Sequence, residues 1–283
     1  MNKFIIAGAT LTLFVVGLAV WVFWPTSPAP AIVPPAAELA PVAEVIATSS
    51  TQVIGTSVQA RPISVHTFGT GATDLLFVGG VHGGYEANTV RLAETMITHL
   101  HETTDLIPAD ITIHIIPNLN PDGYALPTNA SDQDRRFNAN SVDLNRNFDC
   151  KWAPTSSWRG QTVSAGSAAF SEPEAAALRD YVNQINPAAA VFWHSVANNV
   201  YASECEAGIL PGTLALMQAY AEAGNYGKVE VFDAYPITGD VEGWLASIGV
   251  PAVTVELETR NSIEWERNLA GTIATIELFS QVQ

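Results

Sequence analysis

The 283-residue chain is poor in basic side chains. It has 12 Lys and Arg against 28 Asp and Glu, and its formal net charge is −16. With so few Lys and Arg side chains, the protein has no basic patch that could neutralise a run of phosphates. We therefore expect no nucleic acid partner. An anionic surface of this kind chiefly favours solubility.

Cysteine is almost absent, since Cys150 and Cys205 are the only two. No cysteine lies directly after the apolar N-terminal run, which excludes a lipid-modified anchor. In an oxidising compartment the two thiols can pair if the fold brings them together. We predict a disulfide between them because each follows closely on a segment with candidate site residues. The alternative is two unrelated buried thiols.

An almost unbroken apolar run covers residues 4–24, which is long enough as a helix to cross a bilayer. Lys3 precedes it, and a positive charge retained inside would leave the rest of the chain outside the cytoplasm. The run exceeds the usual signal-peptide core, so we predict a signal anchor over residues 1–24 and a membrane-anchored protein. Cleavage after the run, giving a secreted protein, is the alternative.

Residues 25–50 are rich in Pro and Ala without a helical or strand period, which predicts an extended linker. A single folded domain is expected over residues 51–283. There, β-rich apolar runs alternate with helical patterns, which is typical of α/β layering around a mostly parallel sheet. The main predicted strands are 74–81, 111–117, 188–193 and 252–257. The main predicted helices are 88–102, a helix that Ser171 caps and that runs to about residue 185, 214–223 and 267–282.

Two of these strands end in histidine. His82 and Glu86 follow the first buried strand in VHGGYE, and His194 ends a later strand in VFWHS. Two imidazoles and a carboxylate make a catalytic zinc set that leaves one position open. An HxxxE motif alone occurs by chance, but polar side chains at the ends of apolar strands are costly without a partner.

A carboxylate also interrupts the apolar strand AVTVELE. Glu256 beside a metal could take a proton from an attacking water and pass it to a leaving amine. Glu258 lies on the same strand face and is the competing candidate.

The segment RRFNANSVDLNRNFD has little hydrophobic pattern but several anion-binding side chains, namely Arg135, Arg136, Asn145 and Arg146. Arginine binds carboxylates through two parallel hydrogen bonds, so we interpret the segment as an anion-binding loop. The intervening Asp143 could orient a zinc-binding imidazole through its free ring nitrogen.

These motifs resemble the carboxypeptidase A-like zinc carboxypeptidases, in a bacterial, membrane-anchored form. Five pieces occur in family order, and NPDGY followed by DLNRNF is the most specific combination. The resemblance covers the chain from about Thr51 to the end, and it implies a three-layer α/β/α fold with a mixed, mostly parallel central sheet. The pieces are NPDGY at 120–124, VDLNRNFD at 142–149, FSEPE at 170–174, HS at 194–195 and TVEL at 254–257.

The resemblance also implies a role for each candidate residue. One zinc ion would be bound by His82, Glu86 and His194, and Glu256 would be the general base. Asp143 would hold His82, and Arg136 would stabilise the oxyanion, with Arg135 as the alternative. The substrate's terminal carboxylate would be bound by Asn145 and Arg146.

Two further positions follow from the spacing in YPITGDVEGW. Tyr235 stands before Trp244 as the family's mobile tyrosine does, which implies that Tyr235 covers the bound substrate. Glu242 falls near the position that contacts the substrate's last side chain, which indicates a cationic group there. Asp240 has an equal claim to that position.

One departure concerns the first two ligands. The family usually has HxxE, whereas this chain has one residue more in HGGYE. The two glycines tolerate unusual backbone angles and can absorb the insertion.

The resulting functional hypothesis is zinc-dependent hydrolysis of the amide bond next to a free C-terminal carboxylate. The substrates would be peptides or cell-wall stem peptides (muropeptides), because some short bacterial relatives cut bonds to diaminopimelate. Two alternatives are a catalytically inert peptide-binding module on the same fold and an N-acyl amino acid deacylase.

Overall fold

A computed structural model describes residues 49–281 of the chain. The predicted signal anchor, residues 1–24, and nearly all of the predicted linker lie outside the described residues. The first strand begins at Ser49, within the last two residues of that linker. None of the helices between residues 49 and 281 has the length and apolar character that a membrane-spanning helix requires.

An eight-stranded sheet forms the centre of the described chain, in the order β1-β2-β4-β3-β7-β12-β8-β11. Two short hairpins, β5–β6 and β9–β10, lie outside it. The twelve strands are β1 (Ser49–Thr56), β2 (Pro62–Gly69), β3 (Thr73–Val78), β4 (Ile111–Ile116), β5 (Thr155–Trp158), β6 (Gln161–Ser164), β7 (Ala189–Ser195), β8 (Asn199–Ala202), β9 (Glu204–Cys205), β10 (Gly208–Ile209), β11 (Gly227–Val229) and β12 (Ala252–Leu257).

The sheet is mixed and mostly parallel. Strands β4, β3, β7 and β12 run parallel to one another in the middle. Antiparallel pairs join β1 to β2, β2 to β4 and β12 to β8. The central parallel strands are buried on both faces, which explains why they appear in the sequence as continuous apolar runs.

Helices cover both faces of the sheet and complete the predicted three layers. Side chains of α4 and α6 pack on one face, and those of α1, α5 and α7 pack on the other. The helices are α1 (Ala87–Glu102), α2 (Pro121–Tyr124), α3 (Asp132–Arg136), α4 (Pro173–Ile185), α5 (Pro211–Gly224), α6 (Val241–Ser247) and α7 (Trp265–Phe279).

Local sequence sets the ends of the longer helices. Helices α4 and α5 both begin at a proline, whose missing amide proton is harmless in the first turn. Asn186 and Asn225 end them in the left-handed conformation that asparagine tolerates. The prediction that Ser171 caps the first of these helices was wrong by one residue, because Glu172 occupies the N-cap position.

A disulfide joins Cys150 to Cys205, with 6.1 Å between the two Cα atoms. It connects the long segment between β4 and β7 to the short hairpin β9–β10. Cys150 and Glu204, the neighbour of Cys205, line the main cavity of the described residues, so this link lies at the edge of the candidate site.

Candidate active site

Strand register brings the candidate residues to one edge of the sheet. Strand β3 pairs with β7 so that Val78 lies opposite Phe192, and both strands then run toward their histidines. In the next pair, Glu256 of β12 lies directly opposite His194 of β7. Carboxyl ends of parallel strands meet at the same edge, which is where α/β proteins place ligand sites.

The extra residue between His82 and Glu86 is accommodated by a single turn of 3₁₀ helix, Gly83–Glu86. Gly83 has φ +46°, and a Cβ there would lie 2.8 Å from the backbone nitrogen of Tyr124. Only glycine fits this close approach without strain. The turn aims the Glu86 carboxylate back toward His82 and His194.

The three predicted ligands come together in the structure. One ligand atom from each of His82, Glu86 and His194 lies within 4.8 Å of the others, and all three side chains are buried. Nδ1 of His194 faces Oε2 of Glu86 at 3.1 Å, while Nδ1 of His82 has no hydrogen-bond partner. Buried, unpaired imidazole nitrogens beside a carboxylate fit a zinc ion well.

The charges around His194 favour a cation at this place. Burial lowers the pKa of His194, but the Glu86 and Glu242 carboxylates outweigh burial and raise it to about 10. The negative charge of these two carboxylates would also stabilise a metal ion bound beside the imidazole.

Glu256 lines the same cavity, and its Oε2 has no hydrogen-bond partner. Burial and then the nearby Glu86 carboxylate raise the pKa of Glu256 to about 7. The competing candidate, Glu258, is exposed and lies 3.5 Å from Arg267. Of the two, only Glu256 can act on a group bound at the metal position.

The structure separates the two candidate arginines. Arg136 is buried in the cavity wall, where its Nε and Nη2 both lie 3.0 Å from Oδ2 of Asp143. Its Nη1 lies 3.8 Å from Glu86. Arg135 instead donates a hydrogen bond to the backbone oxygen of Gly84 and lies outside the cavity lining. The geometry therefore favours Arg136 over Arg135.

Asp143 lies next to His82, with 3.6 Å between Oδ1 and Nδ1. It accepts hydrogen bonds from Arg136 and from the backbone amide of Asn145. The predicted interaction with His82 is therefore a close contact and not a hydrogen bond.

The anion-binding pair is held by the core on either side. Leu144 and Phe148 are fully buried, which anchors the turn that carries Asn145 and Arg146. Oδ1 of Asn145 accepts a hydrogen bond from the backbone of Val241. Nε of Arg146 has no partner, and the guanidinium pairs with no carboxylate among residues 49–281.

A close backbone contact brings the segment that contains Asp240 and Glu242 next to Asn145 and Arg146. Gly239, at φ +69°, exchanges backbone hydrogen bonds with Phe148 and Cys150, and a Cβ there would lie 2.2 Å from the Arg146 carbonyl oxygen. Asp240 then caps α6 by accepting a hydrogen bond from the Gly243 amide.

Glu242 is buried in the cavity wall, where it accepts a hydrogen bond from Thr254. Asp240, the alternative candidate for this position, also lines the cavity, but its carboxylate already caps α6. Tyr235 is 38% exposed at the mouth of the cavity, with its ring against Phe232. An exposed position at the mouth is what a side chain that covers a substrate requires.

The sequence reasoning missed several residues of this cavity, which has a volume of about 700 Å³. Tyr85 stands next to the ligand Glu86, but a tyrosine there gave no signal. Arg260 lies three residues beyond the end of β12, where no strand period links it to Glu256. The missed lining side chains with rings or charge include Tyr85, Lys151, Trp158, Arg159, Tyr201, Glu204, Phe232 and Arg260.

The fold and the site together define an α/β protein with a buried His–Glu–His metal site at the carboxyl edge of its sheet. The sequence model of the zinc carboxypeptidase family matches residues 43–268. The chain belongs to this family, and zinc is the metal that its three ligands fit.

Two curated relatives illustrate the similarity. Murein peptide amidase A of Escherichia coli K12 is 31% identical over 129 residues, which are 42% of this chain and 48% of that protein. The gamma-D-glutamyl-L-diamino acid endopeptidase 1 of Lysinibacillus sphaericus is 24% identical over 237 residues, covering 72% of this chain and 59% of the relative. The chain thus spans about half the length of the curated relatives it matches.

Solved structures share the fold. The murein-tripeptide amidase from E. coli O157 has a TM-score of 0.62 at 23% identity, with 83% of this chain and 93% of that chain covered. Bovine thrombin-activatable fibrinolysis inhibitor has a TM-score of 0.66 at 18% identity, covering 81% of this chain and 88% of the other.

Proposed function

We propose that this protein is a zinc-dependent carboxypeptidase that hydrolyses the amide bond next to a free C-terminal carboxylate. One observation carries the proposal: the three metal ligands, Glu256 and Arg146 line a single cavity. A metal site, a proton acceptor and an unpaired arginine within one cavity are the groups that such a reaction needs.

Each protein group has a part in the reaction. A bound zinc ion would polarise the scissile carbonyl and lower the pKa of the attacking water. The Glu256 carboxylate would take the proton from that water, and its raised pKa suits it to pass the proton to the leaving amine. Arg136 has Nη1 free of Asp143, so this nitrogen would donate to the developing oxyanion.

Arg146 and Asn145 would bind the terminal carboxylate. The Arg146 guanidinium is buried, faces the cavity and has no carboxylate partner among the described residues, so an incoming carboxylate would supply the missing counter-ion. Tyr235, at the mouth, would cover the bound substrate.

We further propose muropeptides as the substrate class, with a cationic group on the last residue. Glu242 supports this proposal because its buried carboxylate lines the cavity close to the Arg146 turn. The names of the relatives, a murein peptide amidase and a diamino acid endopeptidase, point to the same chemistry. The second amino group of a diamino acid would pair with Glu242.

Finally, we propose that residues 1–24 anchor the protein in a membrane with the catalytic domain outside the cytoplasm. The apolar run over residues 4–24 and the preceding Lys3 support an exported domain. The disulfide between Cys150 and Cys205 is consistent with an oxidising compartment.

The test uses the full-length chain, purified in detergent and loaded with zinc. It is incubated with a peptide ending in a free C-terminal lysine, the same peptide amidated at that end, an N-acyl lysine and a murein tripeptide, and the products are measured by mass. We expect cleavage of the free peptide and the tripeptide only. Equal cleavage of the amidated peptide would overturn the proposal. Cleavage of the N-acyl lysine alone would indicate a deacylase. Binding of the peptides without cleavage would indicate a catalytically inert binding module.

A variant tests the carboxylate site directly. Arg146→Ala should lower kcat/KM for the free peptide about 10- to 100-fold, since it removes a hydrogen-bonded charge pair. Arg91→Ala is the matched control, because Arg91 is exposed on α1 and lies outside the cavity lining. If both variants retained full activity, Arg146 would have no role in binding.

A further inference from the structure

Arg260 lies in the cavity wall without an acidic partner. Its Nη2 donates to the hydroxyl of Tyr85 at 2.8 Å and to the backbone oxygen of Ser195 at 3.3 Å. Its Nε is buried and has no hydrogen-bond partner. Within the described chain, no carboxylate lies within ion-pair distance of this guanidinium.

Aromatic rings hold the guanidinium in place. Its carbon lies 4.2 Å from the centre of the Tyr85 ring, which meets the Trp158 ring edge to face at 5.4 Å. Both aromatic side chains are buried. One cation–π contact and two hydrogen bonds therefore position Arg260 before any ligand arrives.

Arg260 feels the nearby Glu256 carboxylate, but it forms no ion pair among the described residues. Arg136 has Asp143 as a partner, and the exposed Arg159 lies 3.7 Å from Asp132. A partly buried guanidinium without a directly paired carboxylate is unfavourable, and a zinc ion nearby would add positive charge. The arrangement therefore favours binding of an anion next to Arg260.

The contacts of Arg260 place this anion site at a different part of the cavity from Arg146. Tyr85 and Ser195 directly adjoin the ligands Glu86 and His194. Among residues 49–281, no hydrogen bond or ring contact joins Arg260, Tyr85 or Trp158 directly to Asn145, Arg146 or Glu242. Because the Arg146 side would take the C-terminal residue, the Arg260 side faces the acyl part of the substrate.

We propose that Arg260 binds a carboxylate on the residue that precedes the scissile amide, so that the preferred substrates are peptides with an acidic residue next to the last one. This inference rests on the proposed carboxypeptidase function and names its substrate class. The same chemistry has two sources: the side-chain carboxylate of an α-linked glutamate and the free α-carboxylate of a γ-linked glutamate. In both, the anion lies a few bonds from the reacting carbonyl.

The test compares three peptides of equal length that all end in lysine. Their penultimate residue is α-linked glutamate, γ-linked glutamate or the neutral glutamine, and kcat and KM are measured with the zinc-loaded, full-length protein. We expect kcat/KM for at least one glutamate peptide to exceed that for the glutamine peptide about tenfold or more, as a charged hydrogen bond would give. The linkage with the larger ratio identifies the source of the carboxylate.

Variants then assign this preference to Arg260. Arg260→Gln should bring the glutamate-to-glutamine ratio close to one, mainly through KM, whereas Arg260→Lys should retain part of it. Arg91→Gln is the control outside the cavity. If Arg260→Gln slowed all three peptides by one factor and left the ratio intact, Arg260 would act in the chemical step and the inference would be overturned.

Failure of the proposed function would look different. If the wild-type protein cleaved none of the peptides, the carboxypeptidase proposal would fail. Calorimetric binding of the same peptides to the zinc-loaded protein would still decide the role of Arg260. Tighter binding of a glutamate peptide that Arg260→Gln abolishes would support the site, and equal affinities would overturn it.

Discussion

The carboxylate of Glu242 lies 3.4 Å from Nε2 of His194. The opposite nitrogen of that ring, Nδ1, faces Glu86. The imidazole is thus held between two carboxylates, one of which also belongs to the metal set. A carboxylate on the far nitrogen of a ligand histidine orients the ring and raises its basicity. Glu242 therefore links the wall of the substrate cavity to the metal site.

This relationship predicts a double effect for Glu242→Gln. Zinc affinity should fall about 10- to 100-fold, as expected when the partner of a ligand histidine is lost. The preference for a C-terminal lysine over leucine should fall as well, because the buried charge is removed. Competition with a fluorescent chelator measures the first effect and peptide kinetics the second.

Glu204→Gln is the matched control for this prediction. Glu204 also lines the cavity, but its carboxylate lies 3.9 Å from the exposed Lys151 and forms no ion pair with a ligand histidine. Unchanged zinc affinity in Glu242→Gln would mean that the contact with His194 has no influence on the metal.

Glu256→Gln should reduce kcat about 10²- to 10⁴-fold, because the proton acceptor is lost. Zinc content, measured by mass spectrometry, should stay at one ion per chain, since Glu256 lies outside the ligand set. Glu258→Gln is the control, because its exposed carboxylate should be dispensable. Wild-type turnover in Glu256→Gln would remove that residue from the mechanism.

The raised pKa of Glu256 predicts a pH effect on stability in the zinc-free protein. The carboxyl has a pKa of about 7 when folded and 4.5 as its ordinary value, so the folded protein binds the extra proton between these values. Stability should therefore fall as pH rises from about 4.5 through 7. The Glu256→Gln variant lacks this titrating group. The difference in the free energy of unfolding, variant minus wild type, should therefore increase by on the order of 2 kcal/mol between pH 5 and pH 8.

Urea unfolding in the presence of a chelator, at pH 5 and at pH 8, measures this difference. Glu258→Gln should show the same pH dependence as the wild-type protein. If the stability of Glu256→Gln relative to wild type decreased with rising pH, the Glu256 carboxyl would be charged in the folded, zinc-free state.

Loss of the disulfide should destabilise the domain. Cys150 and Cys205 are separated by 55 residues. Closing a loop of that length restricts the unfolded chain by about 4 kcal/mol in the chain-entropy account. Replacing both cysteines by alanine should therefore lower the urea midpoint, and a reducing agent should lower that of the wild-type protein to a similar value. A wild-type midpoint insensitive to complete reduction would contradict this prediction.

Much of the fold was predictable from the sequence because its central strands are buried on both faces. Strand β12 matches the predicted range 252–257, and the layers follow from the alternation of strands and helices. The edge of the sheet was harder to predict, since β8 and β11 are only four and three residues long and carry little periodic signal. The Ser171 cap failed for a local reason: its hydroxyl hydrogen-bonds to Asn147 and Glu172 instead of a helix amide.

By itself, the sequence indicated the fold, the candidate zinc ligands and the anion-binding turn, because these depend on a strand's own periodicity, on the polar residues at strand ends and on short motifs that resemble a family. Only the tertiary structure decided between Arg135 and Arg136, paired Cys150 with Cys205, and revealed the contacts of Glu242 and Arg260. Arg260 and Ser195 are 65 residues apart, and they meet only because β7 and β12 are neighbours in the sheet. Strand order follows from the packing of the whole core, and no local motif contains that information.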